Sequence, residues 1–183
     1  MLKKALFLYI CLFALFFSGT VFAQSENANS GNVMLNIKLY PIQTITINES
    51  QREVTLSYET KQDYESGVSS EMNNHLTIFS TGGFEVKANA PKGDLEGTKK
   101  TIEASDILIT ASKGSNNNLN AQYSAERLSI NESTIIQSTT GGINQEFNIN
   151  YQAEGNDKYI NHFSKDENPT IFSTRIVYSI TSK

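Results

Sequence analysis

The sequence of 183 residues holds one cysteine, no tryptophan and two histidines. Each scarcity excludes something. Cys11 sits inside an N-terminal apolar run and not behind a lipobox, so neither a lipid anchor nor a disulfide is expected. Without other cysteines a thiolate metal site cannot form. His75 and His162 have no partner at ligand or triad spacing and no G-x-S-x-G elbow accompanies them. Both read as surface residues. Positive charge is also scarce, with 15 basic against 19 acidic residues. Nucleic-acid binding needs clustered cations to neutralise phosphates, and this chain lacks them. No apolar stripe at i, i+3, i+4, i+7 runs for the length of a helix.

What is present begins with an address. Lys3 and Lys4 precede an apolar run from Ala5 to Phe17, and Val21-Phe22-Ala23 places small residues at −3 and −1 of a cleavage site. This is the layout of a secretory signal peptide over residues 1–23. Cleavage after Ala23 leaves 160 residues with 13 basic and 19 acidic side chains, a net charge of −6. That length suits one domain. The chain is read as exported, to the periplasm or the outer surface, with no membrane span after cleavage. Residues 24–32 are polar and small and read as a flexible leader; residues 33–183 read as a single domain.

From Val33 the pattern changes to period two. Val33, Leu35, Ile37 and Leu39 fall on one face, and Met34, Asn36, Lys38 and Tyr40 on the other. That alternation predicts a half-buried strand. Further extended segments follow at Ile42, Ile45 and Ile47, at Val54, Leu56 and Tyr58, and over residues 106–112, 126–130 and 171–181. Residues 61–74 read mainly as a polar loop with one helical turn ending at Gly67. Two Gly-Gly pairs suggest tight type I′ hairpins. The first joins strands around Gly82-Gly83 and pairs Phe79 with Val86. The second, at Gly141-Gly142, sets Ile136 opposite Phe147, with Ile143, Phe147, Ile149 and Tyr151 on its buried face. About nine or ten short strands at this spacing predict an all-β, antiparallel, immunoglobulin-like sandwich.

Chemistry-bearing constellations are few. Acidic pairs at Asp63/Glu65 and Asp166/Glu167 read as solvated charge. Asn156, Asp157, Asp166, Glu167 and Asn168 are oxygen ligands, but no calcium-loop motif holds them, and no metal or cofactor is expected. Tyr64, Tyr123 and Tyr159 lie in or beside predicted loops and are the candidate ligand contacts, able to stack on a sugar. The strand carrying Val33, Leu35, Ile37 and Leu39 is a candidate donor strand, able to complete a neighbour's sheet. Pairing within its own domain is the favoured reading of that strand, because the C-terminal strand looks complete and leaves no evident gap.

The run LNIKLYPIQTITIN (35–48), the hairpin STGGFEVK (80–87) and the close NPTIFSTRIVYSI (168–180) resemble a group of little-characterised small exported β-proteins from Bacteroidetes-type bacteria. The resemblance spans most of the mature chain. Some members carry a peptidoglycan-binding label, which implies a cell-wall glycan as one expected partner. More loosely, the architecture is similar to spore-coat-U-like pilins, although those carry cysteines. Together these readings predict a non-enzymatic envelope or surface protein, structural or adhesive. A glycan-binding module is the alternative.

Overall fold

The computed structural model describes residues 31–183; the expected signal peptide, 1–23, and residues 24–30 of the expected leader lie outside them. Residues 39–183 form one compact unit, to which the described residues 31–38 do not belong.

The larger unit is an antiparallel β-sandwich. In chain order it contains β1 (Gln43–Ile47), α1 (Lys61–Ser66), β2 (Val68–Ser80), β3 (Phe84–Asn89), β4 (Leu95–Glu96), β5 (Thr101–Ile102), β6 (Ile107–Lys113), β7 (Gln122–Tyr123), β8 (Ala125–Arg127), β9 (Ser133–Ser138), β10 (Gly142–Ala153) and β11 (Val177–Ser182). One sheet has the order β1-β2-β10-β6-β8 and the other β11-β3-β9-β7, while β4 and β5 pair alone.

Alternation decides which side chains enter the core. Leu76 and Ile78 on β2, Phe84 and Val86 on β3, Ile135 and Ile136 on β9, and Phe147 and Ile149 on β10 are fully buried. Phe84 of one sheet meets Phe147 of the other edge-on, with centroids 6.3 Å apart. On β10 the expected buried face holds for Phe147, Ile149 and Tyr151, but Ile143 is 70 % exposed and Gln145 takes the inward place.

Neither Gly-Gly pair makes a hairpin. β2 pairs with β1 and β10, and β3 with β9 and β11, so the chain changes sheets at Gly82-Gly83. It changes sheets again at Gly141, between β9 and β10. The inward residues of β2 are therefore Leu76, Ile78 and Ser80, with Phe79 on the opposite face. Among the described residues, positive-φ glycines are Gly67 and Gly93, so the four corner glycines do not supply type I′ geometry. Two of them, Gly83 and Gly141, supply closeness. A Cβ on Gly141 would collide with the Ser80 carbonyl, and one on Gly83 would crowd the carbonyls of Ser138 and Thr139 at 3.1 Å. The two sheet-crossing corners pack backbone to backbone, which only glycine permits.

Residues 61–66 do form a helix. Thr60 caps it, its hydroxyl accepting from the Asp63 amide while the Asp63 carboxylate accepts from the Thr60 amide. These backbone donors hold the Asp63 carboxyl below its usual pKa. Gly67 ends the helix at φ 80°. The rest of the expected polar loop is instead the first half of β2, whose polar residues sit in a long strand because β10 supplies ladder partners from Val68 to Met72.

Candidate interaction surface

The sandwich has two long sides where its sheets meet, and they are built differently. On one side the chain itself bridges the sheets. β7 pairs with β9 and, one residue later, β8 pairs with β6. Ser124 between them donates its amide to the Ile135 carbonyl at 3.0 Å and accepts from the Ala111 amide at 3.5 Å. This side is closed by hydrogen bonds.

On the other side β1 edges one sheet and β11 the other. They lie side by side without a ladder between them. Their link is a side-chain hydrogen bond from Gln43 Nε2 to Ser182 Oγ, 2.6 Å. Beyond each strand the chain stays in alternating register. Val54, Leu56 and Tyr58 turn toward the core while Thr55 and Ser57 face out; Phe172, Thr174 and Ile176 turn in while Ser173 and Arg175 face out. These are the segments read as strands from the sequence. Residues 54–58 make no ladder, and their backbone has no hydrogen-bond partner among the described residues. In residues 172–176 the backbone bonds, among the described residues, only at Ser173, which exchanges a pair with Glu96. The apolar side chains here are half-buried and rest against the core.

The two runs lie on the same side of the fold. At one end the Asn48 amide bonds to the His75 carbonyl at 2.9 Å, and the His75 ring stands 6.0 Å from that of Tyr178. At the other end Tyr58 packs on Tyr159, Tyr159 on His162, and His162 on Phe172, with centroids 5.2 to 6.1 Å apart.

His75 is buried, contrary to its reading as a surface residue, and it joins both sheets. Its Nδ1 lies 3.0 Å from Gln51 Oε1, and its Nε2 2.9 Å from the Tyr151 hydroxyl, which bonds in turn to Tyr178. Because Gln51 Oε1 can only accept, Nδ1 carries the proton and Nε2 accepts from Tyr151. Burial lowers the His75 pKa from 6.5 and pushes that of Tyr151 up to about 12. The imidazole is thus neutral, and the network is a strut between the sheets.

Of the candidate ligand tyrosines, Tyr64 and Tyr159 both pack against Tyr58, while Tyr123 lies apart on β7. Tyr159 is buried, and its hydroxyl donates to Asp106 at 3.2 Å. Tyr64 is half-buried against Tyr58, centroids 5.2 Å apart. Tyr123 belongs to β7 and tilts toward Phe147. Asp106 is itself buried and accepts from Lys158, which also reaches Glu154 at 3.1 Å. The hydrogen bond to Asp106 holds the Lys158 ammonium above its usual pKa, so the group stays charged. Among the described residues no three His, Cys, Asp or Glu side chains converge as metal ligands.

The candidate donor strand departs most from expectation. Residues 31–42 carry no strand. Val33, Leu35, Ile37 and Leu39 are 79 to 92 % exposed, and Met34 and Tyr40 are exposed as well. The expectation that this strand pairs within its own domain is corrected. Its alternation encodes a strand, but a strand forms only against a partner, and β2 has given its edge beside Ser80 to β1, starting at Gln43.

The chain matches no protein-family profile and no curated protein. Among the described residues no helix is long and apolar enough to cross a membrane.

Proposed function

We propose that the mature chain is a non-enzymatic structural or adhesive protein of the cell envelope or surface that joins its neighbours by donating a strand. The observation that carries this reading is the run of large apolar side chains over residues 33–42, exposed and in strand alternation. Export rests on the signal-peptide layout of residues 1–23. A soluble domain does not keep such a run in water without cost, and contiguous exposed apolar surface marks an interaction site.

Magnitudes say what the run needs. Burying Val33, Leu35, Ile37 and Leu39 yields roughly 6–12 kcal/mol at about 1.5–3 kcal/mol each. Ordering the backbone of these residues and their neighbours costs roughly 1–2 kcal/mol apiece. The two nearly cancel. Ladder hydrogen bonds, at about 0.5–1.5 kcal/mol net, then tip the balance. The partner must therefore offer a bare sheet edge as well as an apolar surface.

The test compares the mature chain, 24–183, with a variant lacking residues 24–40. Light scattering across a concentration series is expected to find assemblies of the former and monomers of the latter. Circular dichroism and thermal melting are expected to give the same β-rich fold for both. A mature chain that stays monomeric at every concentration and captures no strand peptide sinks the reading.

A further inference from the structure

We infer that the open side of the sandwich is the receiving site, and that its occupant is residues 33–39 of a second copy of this chain, inserted between residues 54–58 and residues 172–176. The inference rests on the strand donation proposed above and names its acceptor.

Three observations lead there. First, burial alternates along both runs, and among the described residues their backbones are almost bare. A strand laid between them finds donors and acceptors on either hand. Second, this side of the core is incompletely covered: Val54, Leu56, Tyr58 and Ile176 rest against the core but are only half-buried. Inward-pointing Val33, Leu35, Ile37 and Leu39 supply apolar groups of the size that is wanting. Third, the Thr174 hydroxyl on this side is buried without a hydrogen-bond partner among the described residues, as is His162 Nδ1 beside Phe172; the Tyr123 hydroxyl on β7 shares that condition. Native interiors rarely leave such a group alone, and an incoming strand backbone would satisfy Thr174.

Chain direction assigns the occupant to another copy. Ile42 is tied to Thr81, its amide donating to Thr81 Oγ1 and its carbonyl accepting from the Thr81 amide, both at 3.0 Å. That anchor lies at the N-terminal end of β1. Residues 54–58 lie beyond its C-terminal end. To enter its own site, the segment would have to reverse immediately before this anchor and run back the length of β1. A neighbour's segment needs no reversal. The lengths agree too: the seven residues from Val33 to Leu39 span about 23 Å as a strand and five-residue runs about 17 Å.

Hydrogen exchange read by mass spectrometry tests this. The protein is the mature chain, 24–183, diluted until monomeric, and the probe is an excess of synthetic peptide with the sequence of residues 33–42. Amides of 54–58 and 172–176 are expected to exchange quickly alone and about tenfold or more slowly with peptide. A peptide carrying Leu35→Asp and Ile37→Asp is expected to leave them fast. Binding accompanied by protection of β8, β7 or β4–β5 instead overturns the site and leaves strand donation standing. A peptide that does not bind at all overturns both.

Discussion

The two sides of the sandwich use similar apolar alternation to different ends. On the closed side the chain steps from β7 to β8 through Ser124, whose amide and carbonyl both find partners, and the backbone seam is complete. On the open side Val54, Leu56 and Tyr58 point inward just as regularly, yet no strand among the described residues pairs with their backbone. The difference teaches that inward side chains can hold a segment against a core without completing a sheet. The hydrogen-bonding capacity left over is then available to something else.

The sharpest way to break the comparison is to truncate one residue on each side. Ile136→Ala on β9 removes a side chain with 0 % exposure and is expected to cost about 2–5 kcal/mol in urea unfolding. Open-side residues should cost far less in the monomer. Equal losses would mean that the two sides are equally complete. A second substitution asks how firmly the open side is anchored where α1 meets β2. Gly67→Ala forces an alanine to φ 80° and drives its Cβ toward the Ala153 carbonyl and the Gly155 amide. The expected loss is about 1–3 kcal/mol, read as a lower urea midpoint with unchanged slope.

The third prediction uses the strut across the open side. His75 is neutral when folded, and its pKa is lowered from 6.5 by burial. The unfolded chain then binds a proton more readily than the folded one as pH falls below 6.5. Its contribution is complete above that value and is lost on acidification until the folded-state pKa is passed. The slope is at most about 1.4 kcal/mol per pH unit. Gln51, Tyr151 and Tyr178 face the ring, and none of them carries charge in this range. Stability measured from pH 7 to pH 5 should therefore fall, and His75→Gln should flatten that decline. An unchanged decline in the variant would assign it to carboxylates elsewhere.

Much of the architecture was legible because side-chain alternation survives whatever the backbone pairs with. Phe147, Ile149 and Tyr151 could be placed inside from their period alone, and so could Val54, Leu56 and Tyr58. Partners were not legible. Gly82-Gly83 and Gly141-Gly142 read as hairpin turns because a positive-φ turn and a close backbone crossing both call for glycine. Only the fold distinguishes Ser80 facing Gly141 across a corner from Thr81 facing Phe84 across a turn. Residues 68–74 hid a strand behind polar side chains, since β10 gives them ladder bonds without demanding apolar groups. The bare runs at 54–58 and 172–176 had no signature at all: a strand with partners and one without them share the same alternation. His75 likewise gave no hint of burial, because its partners Gln51, Tyr151 and Tyr178 come from three distant stretches of chain.

The smallest effect in the monomer is the one that sharpens the comparison most. Leu56→Ala removes methyl and methylene groups that are only half-buried, so the isolated domain should lose about 1 kcal/mol, well under the range for a sealed core leucine. If a neighbour's strand lies over Leu56 in the assembled state, the same truncation acts there on a covered residue. The cost should then approach the roughly 2–5 kcal/mol typical of a core cavity. The variant would melt almost normally as a monomer, yet require a concentration about fivefold or more higher to assemble. Thr55→Ala, one residue along and facing out, should change neither quantity. An assembly concentration that shifts no more than the monomer's own stability would mean that Leu56 gains no cover, and that the open side stays open.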